Sequence, residues 1–148
     1  MIWENRSFND LDVSTLYAIL KIRQEVFIVE QTCPYLDADG QDTLAQHLFA
    51  RSDTGKLLAY ARVFLPTPEK PYSRIGRVLS TGSNRGSGLG KQLMQRAIAF
   101  IQERAPHQPI RLSAQTYLRD FYASYGFMEV GDEYLEDDIP HIDMERAA

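Results

Sequence analysis

The sequence predicts an α+β fold, an α/β sandwich built on one central, mixed but mostly antiparallel sheet flanked by helices. Three observations carry this reading. The 148 residues, 44% hydrophobic and 24% charged, suffice for a single domain over 1–148 with a core of its own, and not for two. The first half reads as a meander of strands around a hairpin turn. The second half alternates strand, helix, strand, helix, strand.

A weakly alternating strand is expected over Ile2 to Phe8. Ser14, an N-cap residue by type, then opens TLYAILKIRQEVFIVEQ, where Leu16, Tyr17, Leu20 and Phe27 recur at helical spacing. Pro34 is expected to stop this helix, because its ring removes an N–H and clashes with the preceding turn. A polar loop, YLDADGQDTLAQ, follows. HLFARS and LLAYARVFL flank the turn sequence DTGK and read as a β-hairpin. Past the PTPEKP connection, YSRIGRVLST reads as a further strand. LGKQLMQRAIAFIQERA is a helix with Leu89, Leu93, Ala97 and Ile101 on one face, widened by Met94 and Ile98. IRLSAQ is a strand of the buried type, YLRDFYASY a short helix closed by Gly126, and FMEVGDEYL and HIDMER two final strands.

The formal net charge of -4 argues against non-specific binding to nucleic acid or anionic membranes, so any anion site must be local. With polar residues within the first few positions no signal peptide is expected, and no apolar run approaches the ~20 residues that span a bilayer. A cytoplasmic enzyme or binding protein is the expectation. The single cysteine, Cys33, excludes an internal disulfide and a cysteine-rich metal site, and reads as a small buried hydrophobe. His47, His107 and His141 are scattered without metal-ligand spacing.

The local anion site lies in NRGSGLGKQL, Asn84 to Leu93. A Walker A loop would need glycine where Arg85 stands and Ser or Thr where Gln92 stands; a dinucleotide G-x-G-x-x-G would need glycine in place of Lys91. A nucleotide-binding reading loses its best support there. What remains is R-G-x-G-x-G between a strand and a helix. Glycines admit positive φ and remove the Cβ atoms that hold a ligand off the backbone. The freed N–H groups at a helix start form a concave donor nest, reinforced by the helix dipole. No carboxylate occurs from Arg77 through Phe100, so the segment is basic within an acidic chain. A capped helix after a plain loop needs one glycine, not three.

At these residues the chain resembles a known family. RGSGLG is similar to the R/Q-x-x-G-x-G/A signature with which GNAT acetyltransferases bind the pyrophosphate of acetyl-CoA. Downstream, QTYLRDFYASYGF resembles that family's N-x-x-A-x-x-F-Y-x-x-x-G-F segment, with Gln115 in place of the asparagine and Leu118 in place of the alanine. VFIVEQTCPYLDADGQD and IPHIDM resemble the ElaA-type bacterial subgroup more narrowly. The resemblance implies the GNAT-type sandwich and direct, metal-free transfer of acetyl from CoA to an amine. It assigns Arg85, Gly86, Ser87, Gly88, Leu89, Gly90 and Lys91 to the diphosphate, and the backbone of Val78, Leu79 and Ser80 to the pantetheine arm. Gln115 would offer its amide to the cofactor, although its reach differs from that of asparagine. In this fold the Val78 strand parts from Ile110 to Gln115 and opens a slot with apolar flanks such as Val78, Leu79 and Leu112.

Two proton transfers need residues. Tyr122 sits where family members keep the acid that protonates the departing thiolate; an ordinary phenol, pKa ~10, holds its proton at neutral pH. The alternative is a core aromatic, a role that Phe121 or Tyr125 fits better. On the acceptor side Glu25, Glu30, Asp37, Asp39 and Asp42 cluster in the helix end and loop, as an attractant for a cationic amine with Glu30 as base, desolvated by apolar neighbours. The alternative for these acids is a solvated loop and helix face. DADGQD is no calcium loop, since Gly40 is misplaced and Leu48 stands where the closing Glu belongs. Arg62 and Arg77 would bind an acceptor carboxylate or pair with these acids, and His141 would line the acceptor pocket or lie on the surface. Besides an N-acetyltransferase acting on a small-molecule or peptide amine, a non-catalytic acyl-CoA-binding module fits the glycine stretch; only the enzyme needs Tyr122 and a base. Exposed sheet edges make a homodimer the expected assembly.

Overall fold

The computed structural model describes residues 1–148 and places seven strands in one sheet, in the order β1-β2-β3-β4-β5-β7-β6. The strands are β1 (Ile2–Ser7), β2 (Gln46–Arg51), β3 (Leu57–Phe64), β4 (Ser73–Ser80), β5 (Ile110–Gln115), β6 (Met128–Glu136) and β7 (Ile139–Arg146). Every neighbouring pair is antiparallel except β4 with β5, which is parallel because α2 (Leu89–Arg104) crosses between them. The mixed sandwich read from the sequence is therefore the observed fold. No helix is long and apolar enough to cross a membrane.

The helices cover opposite faces. On one, α2 buries the six residues its periodicity singled out, Leu89, Leu93, Met94, Ala97, Ile98 and Ile101, against β2 to β5 and β7 in a cluster of 19 buried residues. On the other, α1 (Val13–Arg23) and its π-helical continuation Gln24–Glu30 bury Ile19, Ile22 and Val26 against Phe49, Leu57, Tyr60 and Leu79. Two boundaries differ from expectation. The N-cap of α1 is Asp12, whose carboxylate accepts the Thr15 N–H at 2.6 Å, and not Ser14. The helix also ends earlier than Pro34 requires: its wide π-turns stop at Glu30, and Thr32 adopts a left-handed φ of 50°.

A bulge in β4 sets up everything that follows. Ile75 and Leu79 are four residues apart and would share a face of a regular strand. Instead Ile75 joins the α2 cluster and Leu79 the α1 cluster. Between them Arg77 has φ of 52°, and the register with β3 shifts between Tyr60 and Arg62. The extra residue flips the face and bends the strand. β4 pairs with β5 only at Ser73–Ile110 and Arg74–Arg111, after which the two diverge.

Candidate active site

The divergence opens a cleft of about 1070 Å³ between β4 and β5, extending to the start of α2, to α3 (Arg119–Ala123) and to the β6–β7 turn. Val78, Ser80, Arg85, Gly86, Gly88, Gly90, Lys91, Gln115, Tyr122 and Glu30 all line it, so the segments that the sequence analysis singled out converge on one space. Leu79 lines it too, but its side chain is buried in the α1 cluster, leaving its main chain to face a ligand. Two of the residues expected to hold the cofactor do not line it. Leu89 turns its side chain into the core, and the Ser87 hydroxyl donates to the Asn84 carbonyl, closing a local turn.

One wall is main chain. Gly86 and Gly88 have φ of 82° and 84°, and a Cβ at either would point into open space. Gly88 caps α2 in the left-handed conformation without any side-chain acceptor. Consequently the amides of Gly86, Gly88, Leu89, Gly90 and Lys91 donate to nothing in the chain; the first intrahelical bond is that of Gln92 to the Gly88 carbonyl at 3.1 Å. Arg85 sits at the rim, donating to the Ser80 carbonyl at 3.2 Å and pairing with Glu30 at 2.7 Å.

Tyr122 enters from the α2 side of the sheet. It is buried at 6% exposure, so the core role expected of Phe121 or Tyr125 belongs to Tyr122, packed edge-on to Phe121 and Phe127. Its hydroxyl has no partner in the chain, yet it is not shielded from solvent, which leaves it facing the cleft. Burial, with a minor contribution from Tyr117, pushes the phenol up to about 12. It is protonated at neutral pH.

Arg62 and Arg77 also line the cleft, and the acids they hold, which do not line it, correct the expected acid cluster. Asp37, Asp39 and Asp42 are not a free attractant. Arg23, fully buried, donates to Asp37 at 2.8 Å and to Asp42 at 2.7 Å; Arg62 grips Asp39 at 2.8 and 2.9 Å and Asp42 at 3.1 Å; Arg77 donates to Asp37 at 2.8 Å. The Arg62 hydrogen bonds hold Asp39 well below the usual carboxylate range. Burial by itself would lower the Arg23 guanidinium, but its bonds to Asp42 and Asp37 hold it above its ordinary value. His47, buried beside them, donates Nε2–H to the Asp42 carbonyl at 2.9 Å, so its Nδ1 accepts the Tyr60 hydroxyl at 2.6 Å. The desolvation expected at Glu30 is not found either: its side chain is 45% exposed and engaged by Arg85, while Glu25 is an exposed partner of Lys21. Arg62 and Arg77 take the pairing role of their two alternatives. Cys33 is buried, its thiol pushed up by burial and donating to the Asp137 carbonyl at 3.5 Å.

Some cleft groups were missed from the sequence. Ser113 and Asp143 face it from β5 and β7, and Tyr134 of β6 bonds both, donating to Asp143 at 2.6 Å. Strict alternation of polar residues with Leu112 and Ala114, and with Ile142 and Met144, was the available signal. No group of three or more His, Cys, Asp or Glu side chains is placed to hold a metal ion.

Known proteins share this architecture. An Acetyltransferase (GNAT) domain model matches residues 34–148. The crystal structure of an acyl-CoA N-acyltransferase from Pseudomonas aeruginosa superposes with a TM-score of 0.94 at 46% identity, covering 99% of this chain and 100% of that one. Protein ElaA of Escherichia coli is 40% identical over 146 residues, 97% of this chain and 95% of its own, and its crystal structure superposes with a TM-score of 0.90 over 99% of each chain. A UPF0039 protein of Schizosaccharomyces pombe is 43% identical over 139 residues, 93% of this chain and 91% of its own, so the group is not confined to bacteria as expected. With a family model over most of its length and full-length relatives of this similarity, the chain belongs to the GNAT acetyltransferase family, in its ElaA-like group.

Proposed function

We propose that the protein is an acetyl-CoA-dependent N-acetyltransferase that moves acetyl directly from the CoA sulfur to a primary amine. The observation that carries this is the row of five unpaired amides at Gly86, Gly88, Leu89, Gly90 and Lys91, opening on the same cleft as the Tyr122 phenol. The residues suit the co-substrate. A diphosphate satisfies orphan donors at a helix start, and the open space above Gly86 and Gly88 lets it reach them. Beyond Arg74 the edge of β4 has no strand partner, leaving main-chain groups near Val78 and Ser80 for the amides of the pantetheine arm, with Leu112 as an apolar flank.

Acetyl-CoA supplies the acetyl group already activated as a thioester. Arg85 exchanges the Glu30 carboxylate for the diphosphate, keeping a counter-charge in either state. A β4 amide stabilises the negative charge that develops on the thioester oxygen. Tyr122, protonated at neutral pH, donates to the departing sulfur. Calorimetry with CoA and acetyl-CoA, followed by thiol release in the presence of primary amines, tests the reading. Arg85→Glu should weaken CoA binding ~10- to 100-fold, the value of a charge-assisted contact. No heat of binding to either ligand removes the proposal. Binding with no amine-stimulated thiol release would leave the acyl-CoA-binding module in its place.

A further inference from the structure

The transferase reading needs a group to take the proton of the incoming ammonium, since a protonated amine has no lone pair. Glu30 stands at the exposed rim beside Arg85, at the diphosphate end of the cleft and not at its acceptor end. We propose that His141 is the acceptor-side base, taking that proton on Nε2. The inference rests on the transferase reading and adds to it the residue and the side of the sheet from which the amine arrives.

Three geometric observations place it there. First, His141 is level with the opening: it pairs with Gln115, four residues beyond the last β4–β5 pair at Arg111. Second, it faces away from Tyr122. Ile142 and Met144 turn into the α2 cluster that contains Tyr122, so alternation turns His141 and Asp143 to the opposite face, where both line the cleft. The acid and the base then approach the slot from opposite faces, one on the sulfur side and one on the nitrogen side. Third, the ring tautomer is fixed. Nδ1 lies 2.7 Å from the Ile139 carbonyl, which can only accept, so Nδ1 carries the hydrogen and the neutral ring keeps its lone pair on Nε2.

The surroundings serve the same end. The Glu136 carboxylate lies 3.6 Å from Nε2, a counter-charge for the imidazolium once formed. Tyr134 stacks on the ring with centroids 6.0 Å apart, and its hydroxyl is fixed by Asp143 and Ser113, so the imidazole is held flat against a rigid neighbour. The charged or titratable groups near it are Glu136 and Tyr134 on β6, Asp137 in the turn, Asp143 on its own strand, the Arg111–Glu145 pair along the sheet and Glu30 with Arg85 across the cleft.

The step balances. Neutral His141 takes one proton from R–NH3⁺, giving R–NH2 and imidazolium, which passes the proton to solvent. The amine nitrogen uses its lone pair to form the C–N bond to the acetyl carbon as the C–S bond breaks and its electron pair stays on sulfur. Tyr122 protonates the sulfur and recovers a proton, through water, from the nitrogen. The sum is R–NH3⁺ plus acetyl-CoA giving R–NH–COCH3, CoA–SH and one H⁺.

The test uses the full chain with acetyl-CoA and a panel of primary amines that includes n-butylamine and the terminal amine of a short peptide. In His141→Gln, kcat/KM should fall ~10²- to 10⁴-fold and the acid limb of the pH profile should vanish, with the acetyl-CoA Kd within about twofold. In the unmodified protein, long-range ¹⁵N–¹H NMR should find the neutral ring of His141 protonated on Nδ1; this reading needs neither a folded variant nor turnover. A ring protonated on Nε2, or transfer by His141→Gln with the acid limb unmoved, overturns the assignment while the transferase reading stands. Tight acetyl-CoA binding without transfer to any amine removes both.

Discussion

The glycine turn that lines the cleft and the charge cluster that reaches it through Arg62 and Arg77 are built on opposite principles. The wall formed by Gly86 to Lys91 leaves its donors unpaired and has no side-chain cap. The loop around Asp37 to Asp42 has every carboxylate paired, with Arg23, Arg62 and Arg77 matching Asp37, Asp39 and Asp42, and only the buried Nε of Arg62 is left without a partner. Unpaired main-chain donors in an open, solvated loop cost little and keep their capacity for a ligand. Unpaired carboxylates at this depth would each cost several kcal/mol, so the fold supplies guanidinium groups for them. The loop that looked like an attractant is a neutral clamp, joining α1, β3 and β4 to the segment that follows the helix. Its place in the molecule is to fix the bend of β4, and thereby the slot.

The largest effect expected from breaking this contrast is on the clamp. Arg23→Met would strand Asp37 and Asp42 in a buried site, and should lower the free energy of unfolding in urea by ~3–5 kcal/mol. A loss below about 1 kcal/mol would mean that the clamp is loosely solvated. On α3, which also lines the cleft, Tyr122→Phe should leave stability and acetyl-CoA affinity nearly unchanged while cutting kcat ~100-fold or more, because only a proton donor is removed. Unaltered turnover would take Tyr122 out of the chemistry. Gly88→Val places a β-branched residue at φ of 84°, and should cost ~1–2 kcal/mol of stability together with a marked loss of CoA affinity read by calorimetry. Retained affinity would show that the amides are not the anchor. The smallest effect concerns acid. Asp39 is depressed below its ordinary value of 3.8, so its stabilisation is complete above that pH and is lost as pH falls through the depressed value. Asp39→Asn should therefore be less stable than the parent at pH 7 and show a shallower loss of stability below about pH 4, measured by thermal melts across that range.

Local signals carried much of the site. The glycine stretch could be read because its unpaired amides lie within a few residues of one another, with a geometry that depends on φ at Gly86 and Gly88 and on the helix that follows. Tyr122 was legible through its motif, although its depth was not, since Phe121 beside it on a five-residue helix and Tyr125 just beyond that helix carry equal apolar weight. The N-cap was displaced to Asp12 because two cap-type residues stand within two positions and only one meets the Thr15 amide. Glu30 drew attention for apolar neighbours in sequence that, on a π-helical end at the rim, do not cover it.

The sequence by itself determined the helix stripe of α2, the β2–β3 hairpin, the glycine-rich turn before α2 and the family, all of them carried by residues within about one turn or one strand of each other. Tertiary structure alone decided which acids are free and which are paired, and which face each residue of β4 presents. Pairing joins residues 14 to 40 positions apart, as in Arg23 with Asp37 and Arg77 with Asp37, and a carboxylate's charge is felt only after its partners have arrived. Facing turns on the single extra residue at Arg77, which inverts everything beyond it, and no local preference announces where a strand will bulge.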